Sequence, residues 1–220
     1  LLPTFATLIK HKGDIIPFIK FSFSALFVFS ILLAFTALYY SPELMQLLYP
    51  QHTDESLAEF QARLNQSSLI FTLLMFAFIS ISSSYVFGTL LTANGNLKQL
   101  NIIAAICVAI NLSINLLLIP RIMATGSAIA SLSAQTFSAI AQVILVVKIF
   151  KIRVNKRYLT TLVVFTLVSL IAGFVAKQIG LSWLHGMCLL WVMGLITAMG
   201  LNLINVKMLM KAMTEKANNI

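Results

Sequence analysis

The feature that most constrains this chain is a succession of apolar runs, each about as long as a bilayer is thick. They are Phe18–Tyr40, Ser68–Leu91, Ile102–Ile119, Gly126–Val147, Tyr158–Ala176 and Leu181–Asn205. A hydrocarbon core calls for about 20 consecutive apolar residues per helix. Spanning strands would instead alternate over about ten residues, and these runs are too long and too continuously apolar for that. An all-α fold is expected, a polytopic membrane bundle of six transmembrane helices. Composition agrees, since 10% of the 220 residues are charged, against about 25% in a soluble domain.

The net charge of +9 is read against that topology. On one side of the expected bundle fall Lys10, Lys12, Lys20, Lys98, Lys148, Lys151, Arg153, Lys156, Arg157, Lys207, Lys211 and Lys216. The other side holds Arg63, Arg121 and Lys177, while Glu43, Asp54, Glu55 and Glu59 share its first loop. Twelve cations against three, alternating loop by loop, is a positive-inside pattern. It places both ends of the chain in the cytoplasm and makes a nucleic-acid partner unexpected. The chain opens Leu1-Leu2-Pro3 without Met and without a secretory signal pattern, so an upstream part is expected to be missing.

Little in the sequence carries reaction chemistry. Cys107 and Cys188 lie in apolar runs without CxxC spacing and read as inert small core residues. His11, His52 and His185 are scattered, so neither metal nor cofactor is expected. No serine has a histidine or carboxylate within reach of its span, which leaves no catalytic residue to name. None of the six spans contains Asp or Glu, so none offers a carboxylate to carry a proton or sodium ion.

The longest connection, Ser41–Ser67, carries helix signals. Ser41-Pro42-Glu43 places a cap, a first-turn proline and an acid. Thr53-Asp54-Glu55 repeats the cap before Ser56–Leu64, where Glu59 and Arg63 stand four apart. A short interfacial helix, a turn at Pro50 and a helical lead-in to the second span are expected, as an outer gate or as a solvated elaboration. Lys207–Lys216 reads either as an amphipathic tail on anionic headgroups or as a frayed end of the last helix.

Inside the spans, uncharged polar residues recur at helical spacing. The fourth span carries Ser127, Ser131, Gln135, Ser138 and Gln142, and the third Asn111 and Asn115. The second has Ser80, Ser83, Ser84 and Gly88, the fifth Thr166, Ser169 and Gly173, and the last Gly194, Thr197, Asn202 and Asn205. Close helix packing explains such rows. So does a hydrated cavity suited to sugar hydroxyls, and the large amides of Asn111, Asn115, Gln135 and Gln142 are the candidates for it. Trp183 fits an interfacial aromatic belt and Trp191 a packed position.

Three motifs together resemble a known family. Leu91-Thr92-Ala93-Asn94-Gly95-Asn96-Leu97-Lys98 is followed by Ile110-Asn111-Leu112-Ser113-Ile114-Asn115-Leu116-Leu117-Leu118-Ile119-Pro120 and then by Thr125-Gly126-Ser127-Ala128-Ile129-Ala130. This run resembles the C-terminal half of polysaccharide transporters, in the superfamily of multidrug exporters and the lipid II flippase. Leu2-Pro3-Thr4-Phe5-Ala6 and Gly13-Asp14 look like the end of the preceding helix and its loop, and Leu47-Leu48-Tyr49 like that family's L-L-Y. The likeness covers most of residues 1–147, and the last two helices fit only by position. One departure stands near Met123-Ala124, where the family's glycine-rich turn has its first glycine.

The resemblance implies the C-terminal part of a two-lobed exporter fold, with residues 1–150 as lobe and 151–220 as two added helices and a cytoplasmic tail. It implies flipping of a polyprenyl-pyrophosphate-linked oligosaccharide across the cytoplasmic membrane by alternating access, for O-antigen, capsule or a related surface polymer. Partners would be the lipid-linked oligosaccharide, membrane lipids and the missing N-terminal lobe. Lys20, Lys98 and Arg121 are the candidates for anion contact, although each also reads as a topology anchor. A multidrug or cation exporter, a non-catalytic membrane subunit and a membrane glycosyltransferase or polymerase are the alternatives. The last would need paired acids or histidines in its outer loop, where His52 stands alone among four acids.

Overall fold

The long apolar runs form long helices in the computed structural model, which describes residues 1–11, 13–152 and 155–204. In chain order they are α1 Leu2–Lys10, α2 Ile16–Leu48, α3 Leu57–Ala93, α4 Leu97–Phe150, α5 Lys156–Gln178 and α6 Trp183–Gly200. All but α1 are long and apolar enough to cross a membrane, which makes the molecule a helical membrane bundle.

At 54 residues, α4 would run about 80 Å if straight, far beyond a hydrocarbon core of about 30 Å. It is a hairpin. Ile122 (φ −132°, ψ 16°) and Met123 (φ 49°, ψ −128°) leave helical geometry just after Pro120. Beyond them the backbone returns so closely that a Cβ on Gly126 would lie 2.8 Å from the carbonyl carbon of Leu118. Further along, Cys107 Sγ is 3.5 Å from the Ala134 carbonyl. The third and fourth expected spans are the two limbs of this hairpin.

Side-chain contacts fix how the remaining helices run. Phe23 meets Phe87 and Phe35 meets Phe76, so α2 and α3 are antiparallel. Ser24 pairs with Tyr158 and Tyr39 with the Leu170 carbonyl, so α2 and α5 are parallel. The helix ends fall into two groups. Lys10, Lys20, Lys98, Lys148, Lys151, Lys156 and Arg157 gather at one, and Arg63, Arg121 and Lys177 at the other.

Two tyrosines and one leucine of α2 seat on glycines of α5 and α6. A Cβ on Gly173 would collide with the Tyr39 ring, one on Gly186 with the Tyr40 hydroxyl, and one on Gly194 with Leu32. These are small residues that let large partners approach, and packing is therefore what Gly173 and Gly194 do. Trp191 packs as expected, its ring edge-on to Phe29 and its Nε1–H donating to Thr36 at 2.9 Å.

Several boundaries differ from those expected. Ser41-Pro42-Glu43 does not begin a separate helix; α2 continues through it with a kink at Tyr40 (φ −129°, ψ 15°), since Pro42 has no N–H to give the Leu38 carbonyl. Beside that kink Lys177 Nζ donates to the Tyr39 carbonyl at 2.6 Å. The turn expected at Pro50 falls later: the chain bends at Tyr49 and turns at Thr53-Asp54, where the Glu55 N–H closes on the His52 carbonyl at 3.2 Å. The cap of α3 is Ser56, in a reciprocal box with Glu59, and not Thr53. Because Glu59 serves that box, Arg63 pairs with Glu55 at 2.8 Å rather than with Glu59. α6 stops at Gly200 because Asn202 adopts φ 54° and its N–H and that of Leu203 close back on Met199 and Ala198, a left-handed cap that asparagine tolerates. Asn202 is thus a helix stop and not part of a polar stripe. Cys188 lies exposed on α6, outside the core. Asn205 and Lys207–Lys216 lie outside the described residues.

Candidate functional site

The polar residues on α3 and on the second limb of α4 come from one periodic sequence pattern, and the fold turns part of it inward. Ser80 Oγ is 3.2 Å from Thr136 Oγ1, which ties the two helices side by side. About two turns further along, Gln142 Nε2 donates to Ser138 Oγ at 2.9 Å. Its Oε1 presses against Gly88, where a Cβ would lie 2.8 Å away, and has no hydrogen-bond partner. Gln142 is buried, and an unpartnered buried amide oxygen is costly.

Beside this contact, and sharing Gly88 with it, lies a notch of about 340 Å³, lined by Ser84, Tyr85, Gly88, Thr89 and Thr92 with Leu2 of α1 across it. Residues 85, 88 and 92 stand on one helical face. Tyr85 is 58% exposed and Ser84 Oγ is buried without a partner. Thr89 and Thr92 return their hydroxyls to the Tyr85 and Gly88 carbonyls, which leaves each oxygen free to accept. A phenol and a row of hydroxyls on an open helix face fit water or a polar ligand better than acyl chains.

The expected site residues do not converge. Lys20 stands one turn into α2, half-buried, with its ammonium 5.7 Å from the centre of the Tyr158 ring. Lys98 is exposed at the start of α4 and Arg121 exposed at the hairpin tip, at the opposite end of the bundle. Asn111 and Asn115 bond one another, Nδ2 to Oδ1 at 2.8 Å, and Asn115 Oδ1 is buried with no partner. Gln135 is half-buried one turn from Ser138. The three cations therefore do not form one anion site, and of the four amides only Gln142 lies against the notch-bearing helix face. Tyr85, Thr89 and Thr92 went unnoticed as lining residues in the sequence. Their 85, 89, 92 spacing continues the serine row and could have revealed them.

The motifs acquire a physical reason. Gly95 has φ 79°, and the N–H groups of Gly95 and Asn96 close on the Thr92 and Leu91 carbonyls, so glycine ends α3 where a side chain would strain. Gly126 has no room for a Cβ at the hairpin crossing. Met123 carries a positive φ that a glycine would accept without strain.

At the other end, the loop before α3 is held by charge. The Arg63 guanidinium donates to both Glu55 carboxylate oxygens at 2.8 Å, and these hydrogen bonds bring the Glu55 carboxyl from its ordinary 4.5 down to about 2. The Ser56 hydroxyl and N–H lower Glu59 in the same direction. No family model matches the chain, and no curated protein or solved structure is similar to it.

Proposed function

We propose that the chain is part of an exporter that flips a polyprenyl-pyrophosphate-linked oligosaccharide across the cytoplasmic membrane. The observation that carries this reading is the notch, a surface rich in hydroxyl acceptors on a helix otherwise built for lipid. A glycan offers many hydroxyl donors, and it crosses about 30 Å of hydrocarbon only if polar groups replace its water. Behind the notch, the free Oε1 of Gln142 and Oγ of Ser84 keep unspent acceptors that a small rotation would present. The fit of Gly95 and Gly126 to the motifs' glycines supports the same family. The lysine-rich end would face the cytoplasm, so that the notch lies toward the side where such a glycan is assembled. The chain would work with a second lobe and alternate its access between the two sides.

The test is depletion of the protein in its own cell. Lipid-linked glycan should build up on the cytoplasmic leaflet and surface polymer should fall. Normal surface polymer with no accumulation overturns the proposal. One observation favours the cation-exporter reading, namely that Glu43 Oε2 is buried without a partner near the outer end of α2, as a cationic substrate would require. Depleted cells that lose resistance to organic cations, with glycan unchanged, point to that reading instead.

A further inference from the structure

A second opening lies on the far side of the bundle, between the returning limb of α4 and α5. These two helices do not pack on each other. Between them is a cleft of about 500 Å³, floored by Ile19, Phe23 and Phe27 of α2 and walled by Val143 and Val147 on one side and Val163 on the other. Its α5 wall runs from Tyr158 to Leu167, about 14 Å along the helix axis and so roughly the depth of one leaflet. Val163 and Leu167 are exposed, which opens the cleft sideways toward lipid.

The polar end of the cleft is specific. Tyr158 Oη is held by Ser24 at 2.8 Å and by the Lys20 carbonyl, and Asn155 Oδ1 accepts from the first N–H groups of α5. Both are committed to structure. The Lys20 ammonium lies over the Tyr158 ring, and among the described residues the only ion pair is Arg63 with Glu55. Asp14, the nearest acid in sequence, accepts from the N–H of Ile16. Lys148, Lys151, Lys156 and Arg157 flank the same end. An apolar slot one leaflet deep with a half-buried cation at its mouth is complementary to a lipid anion.

We propose that this cleft seats one acyl chain of an anionic membrane phospholipid, with its phosphate held by Lys20. The lipid would fill the space that α4 and α5 leave open and so join the α5–α6 pair to the hairpin. The leaflet depth favours a phospholipid over a long polyprenyl tail, which would overrun the slot.

The test uses the purified full chain in detergent, titrated with phosphatidylglycerol, phosphatidylcholine or a polyprenyl phosphate. Bound lipid is counted by native mass spectrometry and thermal unfolding is followed in parallel. One phosphatidylglycerol per chain should be retained, preferred over phosphatidylcholine by roughly fivefold, as expected for about one lysine at a membrane surface. Its saturation should raise the unfolding midpoint by about 5 °C. Lys20→Met should lose most of the preference while keeping its unliganded midpoint, and Val163→Trp should expel both phospholipids by filling the slot. Equal retention of the two phospholipids, or a preference unchanged in Lys20→Met, overturns the proposal. So does retention of the polyprenyl phosphate alone, which would assign the slot to a different lipid.

Discussion

Met123 shows how one residue can be read twice. In the sequence it stands where the resembled family has the first glycine of a glycine-rich turn, and in the structure it holds φ 49° and ψ −128° with its side chain 72% exposed. A bulky residue held at such angles costs about 1–3 kcal/mol, and an exposed side chain returns little packing. Met123→Gly should therefore raise stability by about 1 kcal/mol, measured as chemical unfolding in detergent. Three residues on, Gly126→Ala should have the opposite effect and cost about 1–3 kcal/mol, because the new methyl meets the Leu118 backbone rather than a movable side chain. The contrast was half legible. The departure from the resembled pattern was visible in the sequence, but the closeness of Leu118 depends on a chain reversal that no local pattern encodes.

At the scale of the element, spans were legible because each is an uninterrupted apolar run, and lipid imposes helix on any such run. Their ends were less so, since several signals competed for one role. Ser56-x-x-Glu59 is itself a capping box, yet Thr53-Asp54-Glu55 and the Glu59, Arg63 spacing offered rival readings of the same residues. Using Glu59 for the cap frees Arg63 for Glu55, and that pairing has a pH signature. Because the Glu55 carboxyl is lowered to about 2 from 4.5, the clasp contributes above pH 4.5 and is lost as pH falls toward 2. Carboxyl NMR in micelles should give Glu55 a midpoint near 2, moving up toward 4.5 in Arg63→Met. An unmoved midpoint contradicts the pairing. The pair is half-buried at the loop before α3, where solvent still screens it, so global stability should change little. By contrast, Gly173→Leu strikes the seat of Tyr39 and should detach α5 from α2, seen as faster proteolysis between α4 and α5. Unchanged proteolysis contradicts the seat.

Over the whole molecule, the two-ended distribution of cations was readable from spacing alone because helices that alternate in direction carry alternate loops to the same side. What spacing left open was which polar rows face inward. The serine row read as packing and Gln142 as packing or a cavity lining, and the fold divides the work, with Ser80, Thr136, Ser138 and Gln142 lying between helices and Tyr85, Thr89 and Thr92 on an open face. The central claim is that this face borders a wet path. After Cys107 and Cys188 are replaced by alanine, single cysteines at Tyr85, Thr89 and Thr92 can be compared with cysteines at Val108 and Leu112, exposed positions on the first limb of α4. In inside-out vesicles a membrane-impermeant thiol reagent should label 85, 89 and 92 rapidly and leave 108 and 112 unlabelled. Equal silence at both sets would contradict the claim and return the notch to the lipid.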